Sequence, residues 1–262
     1  MCNGSIMDKL ISFSLPLMVS GILQLAFNAV DIIVVGRFSG SQALAAVGST
    51  TALINVFTNL FIGISLGANV LAARFYAAGK DREMSETVHT SITLALISGI
   101  MMAVIGVLLA KWALEIMGTP DDVIGQSALY MRIYFMGMPF FMLYNYGAAI
   151  LRAIGDTKRP LIFLIISGIA NAALNMILVI LFHMGVAGVA IGTIISQLIS
   201  CVLVLTCLYR SEGSYQLRFS KLKINGAYME QIFQVGVPAG IQSTIINFSN
   251  VLLQSSVNSF GS

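Results

Sequence analysis

Long apolar stretches separated by short polar segments dominate this chain. Each complete stretch reaches the length of about 20 residues that a helix needs to cross the hydrocarbon core of a bilayer. Six stretches are complete, and a seventh begins near Met229 and still continues where the sequence ends; the complete ones run over 13–36, 44–72, 88–112, 127–151, 160–182 and 186–209. The pattern predicts an all-α polytopic membrane protein, a six-helix transmembrane bundle followed by an incomplete seventh helix.

Composition supports a membrane protein over a soluble one. The chain is 57% hydrophobic and only 10% charged, whereas a soluble domain is about 25% charged. The first apolar stretch is too long for a cleavable signal peptide and leads directly into further spans. The lipid bilayer is therefore the predicted surroundings of most of the chain.

The basic residues are distributed unequally between the two sides of the membrane. If the spans alternate in direction, eleven of the 14 Lys and Arg residues lie on the side of the N-terminus. Because cytoplasmic loops carry an excess of Lys and Arg, we predict a cytoplasmic N-terminus in the plasma (inner) membrane of a bacterial-type cell. This orientation accounts for the basic loops, so no nucleic-acid partner is expected.

The chain is predicted to contain one lobe and the start of another. Residues 1–210 form the N-terminal six-helix lobe, 211–228 a polar and basic cytoplasmic linker, and 229–262 the beginning of a C-terminal lobe. Pro16 and Pro238 occupy equivalent positions in spans one and seven, as expected for parallel repeats. The remainder of the C-terminal lobe, beyond this sequence, is thus an expected partner of the first.

Asp31 is the only acidic residue inside any of the six complete apolar stretches. A carboxylate at membrane depth costs about 2.5–3.5 kcal/mol on insertion scales, which makes such a residue a functional candidate. At a rise of about 1.5 Å per residue, Asp31, Asn175 and Thr193 all fall about 8–10 Å from the outer ends of their spans. Asn171 lies one turn deeper, on the same helix face as Asn175. The topology thus predicts one polar cluster in the outer half of the membrane.

The chemistry of this cluster suits a small hard cation. Carboxylate, amide and hydroxyl oxygens are the ligands such ions prefer, so Na⁺ or H⁺ is the predicted coupling ion, with Na⁺ held by Asp31, Asn171 and Asn175. Burial disfavours a charged carboxylate and a bound cation favours it, which would let Asp31 exchange a proton for a cation. No organic cofactor and no other metal site is predicted.

The histidine and cysteine residues give little support to an active site in the membrane. His89 lies near a loop and His183 at the end of a span, so neither approaches Asp31 in depth. The three Cys residues lack the spacing of a metal site. The sequence therefore predicts a protein that is not an enzyme.

Proline and glycine residues indicate where the helices bend and where they pack closely together. Pro16 and Pro139 each remove a backbone hydrogen bond, which predicts a kink in span one and another in span four. Gly63 and Gly67 allow a neighbouring helix to approach span two closely.

A substrate cavity is predicted beside the cluster. Gln24, Phe27 and Asn28 share a helix face with the acid of span one, and Asn59 lies near mid-depth in span two. Polar groups in hydrocarbon must find partners, so this face should point into the protein.

Several segments together resemble the multidrug and toxic compound extrusion (MATE) family. Residues 28–36, with Pro16 before them, resemble its first helix, and 152–160 its loop between helices four and five. Residues 171–175 and 188–197 resemble its fifth and sixth helices. The resemblance covers essentially the whole chain.

The resemblance implies the N-terminal lobe of a twelve-helix antiporter. In this family the acid of the first helix, a pair on the fifth and a Thr on the sixth form a cation site, and these positions match Asp31, Asn171, Asn175 and Thr193. Some prokaryotic members carry an acid where this chain has Asn175, so a mechanism that needs two carboxylates is not expected here. Bending of helix one at the Pro16 position is proposed in similar proteins.

These observations predict a cation-coupled antiporter that exports organic, cationic or amphipathic drugs and toxic compounds, with Na⁺ and H⁺ both open as the coupling ion. One alternative is a lipid-linked oligosaccharide flippase of the same superfamily, which should need several cationic residues in its cavity; Arg132 is the only candidate. Another is a channel, whose flux would not depend on an ion gradient.

Overall fold

The computed structural model describes the backbone of residues 6–258, and the side chains of that range apart from 6, 9, 246, 247, 249, 250 and 258. This range is mostly helical and contains no strand. A π-helical turn covers Ile177–Leu181 and a 3₁₀ turn Phe219–Lys221. The eight α-helices are α1 (Ile6–Phe38), α2 (Ser41–Ala77), α3 (Asp81–Ile116), α4 (Asp121–Met136), α5 (Met138–Ala153), α6 (Lys158–Met176), α7 (Gly185–Arg210) and α8 (Gly226–Asn258).

Five of the described helical segments are long and apolar enough to cross a membrane: they belong to α1, α2, α3, α6 with the π turn, and α7. They correspond to predicted spans one, two, three, five and six. The all-helical membrane fold is therefore confirmed. The full count of six spans and a seventh stays a prediction.

The predicted fourth span is wrong as a single helix. Residues 127–151 lie instead on α4 and α5, two helices of 16 residues each that meet at Gly137. Pro139 is at the start of α5 and has no N–H to continue the hydrogen bonding of α4. The kink predicted at Pro139 is instead a break between two helices.

Pro16 has a milder effect in α1. The helix continues through it, and the Ser20 hydroxyl donates a hydrogen bond of 2.8 Å to the Pro16 carbonyl. The carbonyl that accepts this hydrogen bond lies one helical turn before Ser20. Bending at Pro16 stays a prediction.

Helix α8 packs along α2, in the most extensive helix pair among the described residues. A Cβ atom on Gly63 would meet the backbone of Gly240, and one on Gly67 would meet the carbonyl of Ile232. The close approach predicted from Gly63 and Gly67 is confirmed, since only glycine leaves room for the facing backbone. α8 begins three residues before the predicted start at Met229 and is not among the five apolar segments.

The centre of the bundle is formed by α5, which contacts α2, α3 and α7. Tyr146, Met142 and Ile150 on α5 are each at most 1% exposed. Helix α1 lies at the edge, and its main neighbour is α6. This placement turns one face of α1 towards α6 and α7, which carry the other polar residues of the predicted cluster.

Candidate cation site

Asp31, Asn175, Asn171 and Thr193 form one hydrogen-bonded series across α1, α6 and α7. The Asn175 Nδ2 group donates to Asp31 Oδ1 at 2.5 Å and to Asn171 Oδ1 at 3.4 Å. Asn171 Nδ2 then donates to Thr193 Oγ1 at 3.4 Å, and Thr193 donates to the Val189 carbonyl at 2.9 Å. The convergence predicted from depth is therefore present, while its role as a cation site stays a prediction.

The site is enclosed on the α6 side and accessible on the α1 side. Asn175 is 0% exposed and Asn171 6% exposed, whereas Asp31 and Thr193 are half-buried. None of the ion pairs among the described residues involves Asp31. A carboxylate within a bilayer that lacks a basic partner requires a proton or a cation to be stable there.

Local backbone features hold Asn175 in position. A Cβ atom on Gly192 would collide with Asn175 Oδ1, so glycine at this position lets α7 lie directly against the amide. Immediately after Asn175 and Met176, α6 widens into the π-helical turn. Such turns are rare and frequent at functional sites.

Two tyrosines beside the site were missed by the sequence analysis. Tyr130 and Tyr134 on α4 lie within electrostatic range of Asp31, and the side chain of Gln197 on α7 approaches Tyr134. The two rings are one helical turn apart, with centroids separated by 6.1 Å. The spacing of four residues between the two tyrosines is visible in the sequence and places them on one helix face. The sequence alone does not show, however, how α4 is placed relative to α1.

The predicted cavity residues occupy different environments. Gln24 and Asn28 are exposed on α1. The Phe27 ring packs against Gly168 of α6 at a distance that excludes a Cβ atom there. Asn59 donates to the Asn55 carbonyl of its own helix at 2.6 Å. A substrate role for these residues stays a prediction.

The donor set fits a monovalent cation better than a transition metal. Among the described residues there is no group of three or more His, Cys, Asp or Glu that could hold a metal ion. Asn175 Oδ1, however, is buried without a hydrogen-bond partner. A buried carbonyl oxygen in this condition has an unused lone pair, which is the type of ligand that Na⁺ accepts, and it belongs to the same amide group whose Nδ2 atom faces Asp31.

We expect Gly192→Ala to destabilise the protein by about 1–3 kcal/mol, the usual cost of inserting a methyl group into a close-packed contact. The new methyl group must displace either Asn175 or the backbone of α7. Thermal unfolding in detergent measures the loss. Gly125→Ala is the control, because a Cβ atom there meets nothing within 4 Å; equal stability of both variants would contradict the contact.

Comparison with known proteins identifies the family of this chain. The MatE family description matches residues 16–177, more than half of the chain. A probable multidrug resistance protein, YoeA of Bacillus subtilis, is 34% identical over 95% of this chain and 56% of its own length. The multidrug export protein MepA of Staphylococcus haemolyticus is 26% identical over 99% of this chain and 57% of its own length.

The fold is shared with solved transporter structures. The inward-facing structure of a multidrug resistance MATE transporter of the MOP superfamily has a TM-score of 0.82 at 21% identity, over 94% of this chain and 56% of that one. The chain spans about half the length of the curated relatives it matches. It belongs to the MATE family, a family of membrane transporters and not of enzymes.

Proposed function

We propose that this chain forms the cation-binding half of an antiporter that exports organic cationic or amphipathic compounds in exchange for Na⁺ or H⁺. The observation that carries the proposal is the Asp31 carboxylate, which has no basic partner among the described residues and adjoins a buried series of amides. A negative charge inside the bilayer is stabilised when a proton or a cation binds to it. The substrate class is taken from two relatives, one named a probable multidrug resistance protein and the other a multidrug export protein.

The Asn175 amide occupies the place of the cation in the present arrangement. Its Nδ2 group, the positive end of the amide dipole, faces the oxygens of Asp31 and Asn171, and Oδ1 faces Gly192. A cation that binds Asp31 replaces this donor. If the amide then turns over, Oδ1 becomes a second ligand and its unsatisfied state is relieved.

A single carboxylate also limits the stoichiometry of the site. Two adjacent carboxylates share one proton because like charges disfavour double ionisation, but here the neighbour of Asp31 is the neutral Asn175. Asp31 therefore carries one positive equivalent at a time in this lobe, either one proton or one Na⁺. The two ions compete for the same oxygen atoms, which allows either gradient to drive the exchange.

The test is transport by the complete protein in liposomes loaded with a fluorescent organic cation. We expect export when a Na⁺ or H⁺ gradient is imposed in the opposite direction, and loss of export when an ionophore collapses that gradient. Substrate-dependent movement of Na⁺ or H⁺ in the same vesicles identifies the coupling ion. Flux that is unaffected by both gradients would indicate a channel and overturn the proposal.

The orientation follows from the charge distribution and belongs to the same proposal. The α2–α3 and α5–α6 connections, with their flanking helix ends, and the segment from the end of α7 to α8 carry most of the basic residues, and we place them in the cytoplasm. Asp31 then lies in the outer half of the membrane. Labelling of single cysteines introduced at exposed Lys158 and Lys111 with an impermeant reagent tests it, because only the Lys111 position should react from outside the cell.

A further inference from the structure

A pocket of about 780 Å³ lies far from Asp31, between the first turns of α3 and residues 220–225, which precede α8. Its lining includes three cationic side chains, Arg82, Lys221 and Lys223, together with the hydroxyl groups of Ser85 and Ser220. The transport proposal uses none of these residues. The pocket is also at the ends of helices, where the chain leaves the hydrocarbon region.

The pocket has a fixed shape because α3 holds the segment before α8. The Arg218 N–H donates to His89 Nε2 at 3.1 Å, and the Asn225 N–H donates to Thr90 Oγ1, also at 3.1 Å. The Asn225 side chain donates to Glu86 Oε2 at 2.7 Å. The two ends of the segment are thus attached to α3, and a ligand does not have to order them.

His89 belongs to this scaffold and is not free to bind a ligand. It is 4% exposed, and its Nδ1 atom lies 2.6 Å from the Ser85 carbonyl. A carbonyl can only accept, so Nδ1 carries the proton and Nε2 is the acceptor for Arg218. Both ring nitrogens are occupied by backbone groups.

The pocket has an excess of positive charge. Glu86 is its only acidic lining residue, and it already pairs with Arg82 at 3.1 Å and accepts from Asn225. Lys221 and Lys223 are exposed and form no ion pair within the described part of the chain. Two ammonium groups beside two hydroxyl donors match the charge and the hydrogen-bonding capacity of a phosphate group.

An exposed aromatic pair that includes Phe219, the residue before Ser220 of the pocket lining, favours a lipid as the source of that phosphate. The rings of Tyr209 and Phe219 stack with centroids 5.8 Å apart, and they are 53% and 54% exposed. Exposed aromatic rings at helix ends are typical of the level of the lipid headgroups. A phosphate held beside them would belong to a molecule whose acyl chains continue into the bilayer.

We propose that this pocket binds the phosphate group of an anionic phospholipid, with Lys221 and Lys223 as its principal ligands. Bound lipid connects the segment before α8 to the start of α3 and to the membrane surface. The inference does not depend on cation coupling, because it concerns only the ends of α3, α7 and α8. It holds for either orientation of the chain in the membrane.

The experiment is calorimetric titration of the detergent-solubilised complete protein with short-chain phosphatidylglycerol, short-chain phosphatidylcholine and inorganic phosphate. Each basic residue near a membrane surface contributes about fivefold to the binding of anionic lipid, so Lys221→Gln with Lys223→Gln should weaken phosphatidylglycerol binding about 25-fold. Phosphatidylcholine should bind much more weakly, because its headgroup has no net charge. Both substitutions are at exposed positions and leave the hydrogen bonds to α3 intact.

Lys158→Gln with Arg210→Gln is the matched control, since it removes two exposed charges at helix ends outside the pocket. This variant should bind phosphatidylglycerol as the unmodified protein does. An equal loss in both double variants would show general charge attraction and overturn the proposal. Inorganic phosphate that binds as tightly as the lipid, and displaces it, would overturn the assignment to a phospholipid.

Discussion

Asp31→Asn should reduce ion-driven export by the complete transporter by about 10- to 100-fold. Asparagine keeps the size of the side chain and one acceptor oxygen but removes the charge that holds a proton or Na⁺. Interactions with a charged group are worth about 1.5–3 kcal/mol, and each 1.4 kcal/mol is about tenfold in affinity. The expected decrease follows if cation binding limits the exchange. Initial rates of export of a fluorescent organic cation, under an imposed Na⁺ or H⁺ gradient, measure it.

Asp8→Asn is the control for the loss of a carboxylate from α1. Asp8 is exposed in the first turn of the helix, far along the chain from Asn175 and Thr193. Its substitution should leave export unchanged. Export by Asp31→Asn at the rate of the unmodified protein, and with the same dependence on the gradient, would show that Asp31 does not couple the ion to the substrate.

A second readout separates loss of coupling from loss of folding. Removing a buried charge relieves a desolvation cost, so Asp31→Asn should be at least as stable as the unmodified protein. Its new amide group also faces the Nδ2 group of Asn175, and rotation can present an oxygen to that donor. A large decrease in melting temperature would indicate that Asp31 has a structural role in joining α1 to α6.

The site shows which parts of a membrane protein can be predicted from its sequence. Asp31, Asn171, Asn175 and Thr193 could be related because helices cross the membrane in alternation and rise by a constant amount per residue. The depth of a residue in the membrane can therefore be calculated from its position in the sequence. Rotation about the helix axis and the identity of neighbouring helices are set by packing, which explains why Tyr130 and Tyr134 were missed.

The broken fourth span illustrates a second limit. Hydrophobicity continues across Gly137, so composition alone predicted one helix over residues 127–151. Pro139 signalled an interruption, but a proline can either bend or divide a helix. The division lies at Gly137, where α7 comes so close that a Cβ atom would meet Gln197 and the Tyr134 carbonyl. Contacts of this kind lie between helices and leave no local pattern.

The pairing of α2 with α8 gives the other large expected effect. Gly63→Ala should lower the stability of the complete protein by about 1–3 kcal/mol or more, because the added methyl group would meet the Gly240 backbone. Backbone cannot move aside as a flexible side chain can, and a Cβ atom on Gly236 of α8 would likewise meet the backbone of Ile64. The two helices must separate along their length, which also weakens the edge-on contact of Phe75 with Tyr228 at 5.5 Å. For a domain of this size, the expected decrease in melting temperature is about 3–10 °C.

Gly48→Ala on the same helix distinguishes this contact from a general effect of alanine. A Cβ atom on Gly48 meets nothing within 4 Å. Alanine is also favoured over glycine inside a helix by about 0.5–1 kcal/mol. Gly48→Ala should therefore be at least as stable as the unmodified protein.

Gly63→Ala combined with a substitution at Gly240 should lower the stability by less than the sum of the two single effects, because both act by separating the same pair of helices. If Gly63→Ala melts at the same temperature as Gly48→Ala, α8 does not approach α2 at this point and must pack against the bundle elsewhere.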